Sequence, residues 1–262
     1  MPAPPAWTAL LDDASVLPPR SRGLAEALTA HADVRRGALG EVVGGLVVTE
    51  RDLPHLSPAA PPLHLRITGG AGMLEAALRS ESTTELPVGR VEIALRDEAD
   101  LAHNARRVVQ VLDSLADTVP DDLAVHVALP PLEAPPAAGW LTALEELAAR
   151  ELGVLLTHVP TRGTAEAVEA ALDRELPLAF VGRGLDDALT AWHAVRVALD
   201  GGGVDGVAAA LTDVDSARAW ARDEAGTAGR TRRWCVSVAV PDLGAALQDG
   251  ARTLRMGDTP LS

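Results

Sequence analysis

Residues 123–159, LAVHVALPPLEAPPAAGWLTALEELAARELGVLLTHV, decide the fold class of this chain. The stretch opens and closes on apolar runs of strand length, Leu123–Leu129 and Val154–Val159. Between them apolar side chains recur at three- and four-residue spacing, which predicts an amphipathic helix. These side chains are Trp140, Leu141, Leu144, Leu147 and Leu152. A strand, a crossover helix and a second strand form a βαβ unit, so the segment predicts a parallel sheet.

The same alternation of strands and helices extends over most of the chain. Seven runs have the composition of strands: Val43–Thr49, Leu63–Thr68, Arg90–Arg96, Leu123–Leu129, Val154–Val159, Leu178–Val181 and Trp234–Val240. In a chain of 262 residues this rhythm predicts an α/β fold, a single TIM-barrel-like (β/α) barrel over residues 1–262. An eighth strand has no clear run. The barrel is therefore either incomplete or closed by the Pro-rich N-terminal extension, about residues 1–40.

The charge balance argues against two kinds of partner. The chain has 37 acidic and 23 basic residues, for a formal net charge of -14. Such a surface repels nucleic-acid phosphates and anionic membranes alike. The N-terminus has no signal-peptide pattern, and no run of apolar residues is long enough to span a bilayer. We therefore expect a cytoplasmic protein that binds neither nucleic acid nor membrane.

The absence of lysine excludes three large enzyme classes, since all 23 basic residues are arginine. Schiff-base aldolases, pyridoxal-phosphate enzymes and P-loop NTPases each need a lysine amine. The single cysteine, Cys235, can form neither an intramolecular disulfide nor a cysteine-based metal site by itself. The sequence predicts no cofactor, and it leaves open whether the protein is an enzyme.

The opening of the chain resembles a known family. The segment LLDDASVLPPRSRGLAEAL, residues 10–28, places Asp12 and Asp13 ahead of a Pro18-Pro19 pair and an amphipathic helix. With the LVV strand that follows and the order of strands, it is similar to a family of uncharacterised TIM-barrel-like proteins of actinobacteria. The resemblance implies the barrel fold and carries no known activity.

The same resemblance implies a lysine on the sixth strand run and a histidine pair at the start of the next helix. This sequence has apolar Ala179–Val181 and then Asp186 and Asp187 at those places. The resemblance therefore implies that the chemistry of the family is altered or lost in this chain.

Polar side chains inside the apolar runs predict what lines the barrel, because alternate strand residues face its interior. The interior set is Arg66, Glu92 and His126, with His64 as a further candidate. Buried charges must be paired, so one interpretation is an ion-pair network in which Glu92 bridges Arg66 or Arg96. The other interpretation makes the set part of a binding site, with Glu92 and His126 catalytic and Arg66 binding the ligand. No metal site is predicted, since His64 begins its strand and His126 lies mid-strand.

Barrel enzymes assemble their sites at the carboxyl ends of the strands. Three arginines stand there, Arg96, Arg162 and Arg183, and guanidinium groups bind carboxylate or phosphate through paired hydrogen bonds. His158 is the candidate for acid–base catalysis at this end. The natural ligand of such a site is a small anionic metabolite.

Two glycine-containing turns join a strand to a helix and could supply backbone N–H groups to a phosphate. The first, Thr68–Gly72, contains Gly69 and Gly70, and the second, Val181–Gly184, contains Gly182 and Gly184. The alternative is that each is only a tight turn.

Two functions follow from this reading. The first is a barrel-like protein of undetermined activity that binds a small phosphorylated or carboxylated metabolite at the strand ends. The alternative is a diverged, non-catalytic barrel that acts as a structural or assembly partner. Apolar helix faces, one with Trp192, Val195 and Leu199 and one within residues 204–220, also predict a homo-oligomer.

Overall fold

The computed structural model describes residues 5–80, 85–96, 100–120, 123–132, 136–223 and 229–255. Within these ranges eight parallel strands close into a barrel, and neighbouring strands follow one another in chain order. The predicted TIM-barrel-like α/β fold is confirmed.

The strands are β1 (Leu11–Asp13), β2 (Val43–Thr49), β3 (Leu63–Ile67), β4 (Val88–Ala94), β5 (Ala124–Ala128), β6 (Gly153–Thr157), β7 (Leu178–Val181) and β8 (Cys235–Val240). The helices are α1 (Leu24–Arg35), α2 (Ala71–Leu78), α3 (Leu101–Ser114), α4 (Ala138–Ala148), α5 (Arg162–Leu172), α6 (Leu185–Leu199), α7 (Gly203–Ala210), α8 (Val214–Asp223) and α9 (Leu243–Arg255). None of these helices is long and apolar enough to cross a membrane.

The eighth strand is β1, and it comes from the N-terminal segment. Leu11 lies opposite Val43 of β2, and Asp12 lies opposite Ala239 of β8, so β1 closes the ring between the second and last strands. The alternative that this segment completes the barrel is thus confirmed. The predicted extension of about residues 1–40 contains the first strand and the first helix of the barrel.

The alternation within each strand separates an apolar outer face from a polar inner one. Leu65, Val91 and Val127 face the helices and are fully buried in the main apolar core. The register places Arg66 of β3 beside Glu92 of β4, and Glu92 beside His126 of β5. Laterally paired residues of a sheet share one face, so these three line the interior as predicted.

Glycines on two strands make room for this polar interior. A Cβ atom on Gly45 of β2 would lie 2.7 Å from the His64 ring, and one on Gly153 of β6 would lie 2.4 Å from the His126 ring. Both distances are far below van der Waals contact. The imidazoles therefore occupy space that a side chain on β2 or β6 would otherwise fill.

The carboxyl ends of the strands form the barrel mouth, which is closed on one side only. There a small buried cluster covers the ends of β8, β1 and β2; its members are Ala14, Leu17, Val47 and Ala239. On the other side the inward-facing Ala94 and Thr157 are exposed, and Ala128 and Val181 are half-buried. As far as the described residues show, the barrel mouth is therefore open to solvent above β4 to β7.

The close approach at β6 yields a stability prediction. We expect Gly153→Ala to destabilise the fold by about 1–3 kcal/mol, because the added methyl must displace the His126 ring from a packed interior. Urea denaturation measures this change. The same substitution at Gly139, in the first turn of α4 with open space around it, should be neutral or stabilising. Equal stability of the two variants would contradict the packing argument.

Candidate functional site

Arg90 spans the barrel interior from β4 to β1 and β8. Its Nη1 donates a hydrogen bond to Ser237 Oγ at 2.6 Å, and its Nη2 donates to Asp12 Oδ2. The Ser237 hydroxyl also donates to Asp12 Oδ2, at 2.5 Å. The second oxygen of Asp12 accepts the N–H of Gly45 at 3.0 Å. One guanidinium and one carboxylate thus connect four strands.

A second pair lies beside the first. Arg66 donates from both Nε (2.9 Å) and Nη2 (2.5 Å) to Glu92 Oε2. The other oxygen of Glu92, Oε1, is 3.0 Å from Arg90 Nη2. The predicted pair of Glu92 with Arg66 is present, and the second arginine that Glu92 contacts is Arg90. We call Asp12, His64, Arg66, Arg90, Glu92, His126 and Ser237 the interior cluster.

The charges of the interior cluster balance. Burial opposes ionisation of Asp12, but His64 and Arg90 hold the pKa of this carboxyl well below its usual range. Burial likewise opposes ionisation of Glu92, and Arg66 and Arg90 together lower its pKa. Although burial disfavours the Arg90 cation, the two carboxylates raise its pKa. Two arginines therefore face two carboxylates, and His64 Nδ1 lies 3.3 Å from Asp12 Oδ2.

His126 differs from the other histidine of the interior cluster because its ring takes part in no hydrogen bond with a described residue. It is 3% exposed, and neither of its ring nitrogens has a hydrogen-bond partner among the described residues. Burial, together with repulsion from Arg90, lowers its pKa to about 3. The imidazole is therefore neutral at physiological pH. Among the described residues no group of three or more His, Cys, Asp or Glu side chains is arranged to hold a metal ion.

A separate cavity of about 180 Å³ lies at the rim of the barrel mouth, at the carboxyl ends of β3 and β4. We call it the rim cavity. Its lining residues are Gly69, Gly70, Ala71, Gly72, Ile93, Ala94, Leu95, Arg96, Asn104, Arg107 and Val108. Two of these carry a positive charge, and none of these described lining residues is a carboxylate. The predicted residues Gly69, Gly70 and Arg96 thus meet at one place.

The turn that borders the rim cavity presents backbone donors. Gly70 has a φ of 76°, a left-handed conformation that glycine adopts without strain, and α2 begins directly after it. The first N–H groups of a helix have no acceptor within it, and here they belong to Ala71 and Gly72. The Arg96 Nε lies 3.6 Å from where a Cβ on Gly70 would be, so the guanidinium lies against the turn.

The second predicted turn is occupied by the protein itself. The carboxylate of Asp187 accepts the backbone N–H of Arg183 at 2.8 Å and two guanidinium N–H groups of the same residue at 2.9 Å. A Cβ on Gly182 would lie 2.9 Å from Asp187 Cβ, so the turn is tightly packed on this carboxylate. Asp187 takes the donors that a phosphate would need, and this disfavours the anion site predicted at Gly182 and Gly184.

His158 lies apart from the interior cluster. Its Nε2 is 2.9 Å from Thr190 Oγ1, and its Nδ1 is 3.6 Å from Asp187 Oδ1. The set resembles a hydroxyl–imidazole–carboxylate triad, but Thr190 is 1% exposed and its hydroxyl donates to the carbonyl oxygen of Asp186. Burial lowers the pKa of His158, which is itself buried. This geometry holds β6 against α6 and presents no group to a ligand.

Arg162 is also separate from the rim cavity. It is 63% exposed and pairs with Glu166 at 3.2 Å and with Asp205 at 2.5 Å. Of the three strand-end arginines that the sequence singles out, only Arg96 lines the cavity.

Three charged residues of these sites escaped the sequence reasoning. Arg90 shares the alternation that places Glu92 inside, so that signal was available. Asp12 belongs to a strand of only three residues, which has no recognisable pattern. Arg107 lies in the middle of α3, and only the packing of that helix brings it to the rim cavity.

Loss of one charge from the interior cluster should be costly. Glu92→Gln leaves Arg66 and Arg90 without a shared counter-charge in the interior, and we expect a loss of about 3 kcal/mol in the free energy of unfolding. The matched control is Glu75→Gln on the surface of α2, where Glu75 pairs with Arg79 in a solvent-exposed contact. That variant should lose less than about 1 kcal/mol. A similar loss in both would show that the interior pairing contributes little.

The lowered pKa of His126 predicts a pH dependence. Between pH 3 and 6.5 the unfolded chain binds a proton at His126 that the folded protein excludes, so stability rises with pH over this window. The slope from one such group is up to about 1.4 kcal/mol per pH unit. In His126→Asn this part of the slope should vanish, whereas His103→Asn, at an exposed position of α3, should retain it. Chemical denaturation at several pH values makes the comparison, and an unchanged slope in His126→Asn would refute it.

Comparison of the chain with protein-family models, with curated proteins and with solved structures finds no match in any of the three.

Proposed function

We propose that this protein binds a small anionic metabolite, phosphorylated or carboxylated, in the rim cavity. The observation that supports this is the meeting of two guanidinium groups, from Arg96 and Arg107, with the N-terminus of α2 around one cavity. Guanidinium forks and unpaired helix N–H groups are the donors that bind phosphate and carboxylate in proteins.

The charge of the rim cavity contrasts with that of the whole molecule. The protein carries a net charge of -14, which disfavours anions at long range. Most of its arginines pair with carboxylates, as Arg162 and Arg183 do. Arg107 makes no ion pair with any described residue. The two guanidinium groups that line this cavity, on a surface that is otherwise acidic, support an anionic ligand.

The size of the rim cavity limits the ligand. Pockets for drug-sized molecules enclose about 300–1,000 Å³, and this one encloses about 180 Å³. A phosphate or carboxylate with a few carbon atoms fits that volume. A mononucleotide would extend well beyond it.

The structural-partner alternative has less support. Trp192 and Val195, which were expected on an apolar surface, are fully buried, and Trp192 packs edge-on against Trp220 at 4.8 Å. These residues pack α6 and α8 together within the protein. The large exposed hydrophobic residues in the described ranges, Met73, Val159 and Leu199, lie on different elements.

Thermal unfolding in the presence of anions tests the proposal. We expect inorganic phosphate, propyl phosphate or succinate to raise the unfolding temperature above that in chloride at equal ionic strength. A ligand at one hundred times its dissociation constant stabilises the fold by about 2.7 kcal/mol. In Arg96→Ala and Arg107→Ala the shift should be reduced by at least half.

The matched control is Arg162→Ala, which removes the same charge from an exposed position away from the cavity. Its response to each anion should equal that of the unaltered protein. If no anion exceeds chloride, or if Arg162→Ala loses as much response as Arg96→Ala, the rim cavity is not an anion site and the structural-partner function is favoured.

A further inference from the structure

We infer that the barrel mouth forms the second half of the ligand site, where Arg66 donates a hydrogen bond to an uncharged carbonyl oxygen of the bound anion. This inference rests on the proposed function. It narrows the ligand to a short phosphorylated carbonyl compound, with the phosphate in the rim cavity and the carbonyl oxygen above β3 and β4.

The rim cavity and the barrel mouth meet at Ala94. This residue lines the rim cavity, and it also belongs to the inward-facing set of β4 that includes Arg90 and Glu92. Its small side chain is exposed, and its register partner on β5, Ala128, is small and half-buried. No bulky inward-facing side chain stands at this level of β4 or β5, so a ligand can extend from the cavity into the mouth.

Arg66 is the interior-cluster arginine that a ligand can reach. Its side chain is 21% exposed, whereas that of Arg90 is 7% exposed. Arg66 contacts Glu92 through Nε and Nη2, and both bonds go to the same oxygen. Its Nη1 has no hydrogen-bond partner among the described residues. Glu92 therefore fixes the guanidinium and leaves one of its nitrogens free to donate.

Charge balance selects the kind of group that Arg66 would bind. Asp12 and Glu92 already neutralise Arg66 and Arg90. A second anion at this position would leave the interior with an unpaired negative charge, which is costly in a poorly solvated site. A carbonyl oxygen accepts the hydrogen bond and adds no charge. The phosphate, by contrast, meets the two guanidinium groups that line the rim cavity.

The strand geometry sets the length of the ligand. Glu92 and Ala94 are two residues apart on one face of β4, which corresponds to about 6–7 Å along the strand. Arg66 is the register partner of Glu92, so it lies at the lower of these two levels. A phosphate group, its ester oxygen and one carbon before the carbonyl together span about that separation.

Isothermal titration calorimetry with three probes tests the inference. Propyl phosphate carries the anion alone, dihydroxyacetone phosphate adds a carbonyl oxygen and a terminal hydroxyl, and 3-phosphoglycerate has a hydroxyl at the carbonyl position and a terminal carboxylate. Glycerol 3-phosphate, which has hydroxyls and no carbonyl, is the control and should bind like propyl phosphate. We expect dihydroxyacetone phosphate to bind about tenfold more tightly than propyl phosphate, as one hydrogen bond from a charged donor implies. We expect 3-phosphoglycerate to gain no such advantage.

Two variants locate the effect. Ala128→Leu fills the mouth without changing the lining of the rim cavity, and the Arg66→Gln/Glu92→Gln double substitution removes both charges of the pair together. Each should abolish the preference for dihydroxyacetone phosphate while propyl phosphate still binds. Thermal unfolding without ligand shows whether each variant is folded. If the double variant does not fold, Ala128→Leu alone provides the test.

The outcomes separate this inference from the proposed function. If none of the three probes binds, the anion site itself is wrong. If propyl phosphate binds as tightly as dihydroxyacetone phosphate, or if the preference survives in Ala128→Leu, the anion site stands and the role of Arg66 is wrong. Tighter binding of 3-phosphoglycerate than of dihydroxyacetone phosphate would overturn the charge-balance argument.

Discussion

A single buried guanidinium, that of Arg90, determines how this barrel is closed. The strand that completes the ring, β1, is only three residues long and makes few backbone hydrogen bonds of its own. Its central residue, Asp12, is tied to β4 through Arg90, to β8 through Ser237 and to the backbone of β2 at Gly45. Because a buried arginine without a counter-charge would be strongly destabilising, the same contact that satisfies Arg90 also holds β1 in place.

The charged interior has a steric consequence. Many parallel barrels fill their centre with branched apolar side chains, but here rings and guanidinium groups from β3, β4 and β5 take that space. Gly45 and Gly153 leave room for these groups, because a side chain at either position would collide with an imidazole ring. The polar side chains on β3 and β5 therefore depend on the space that the glycines on β2 and β6 leave. A change to either set requires a change to the other.

These contacts also explain which parts of the structure were predictable. Strands such as β2 and β7 are continuous apolar runs, and strict alternation in β3 and β4 was enough to place Arg66 and Glu92 inside. The sequence Leu11–Asp13 has two carboxylates in three residues, so only its backbone pairing with β2 and β8 identifies it as a strand. The turn at Gly182 has the local pattern of an anion site, but a sequence does not show that Asp187 folds back onto it. The local sequence pattern predicted the strands and helices and which strand residues face the interior. It could not predict which residues distant in the sequence contact each other.

The distribution of charge distinguishes the two polar regions of the molecule. In the interior cluster each arginine contacts a carboxylate, and the buried polar atoms that lack a hydrogen-bond partner in the described part of the chain are Arg90 Nε, Glu92 Oε1 and both ring nitrogens of His126. At the rim, Arg107 has no ion pair with a described residue, and no carboxylate is among the described residues that line the cavity. The interior pairs hold the strands together, whereas the guanidinium groups of Arg96 and Arg107 meet at a cavity beside the N-terminus of α2. The interior cluster therefore serves the fold, and the rim cavity is the place where the proposed binding function would act.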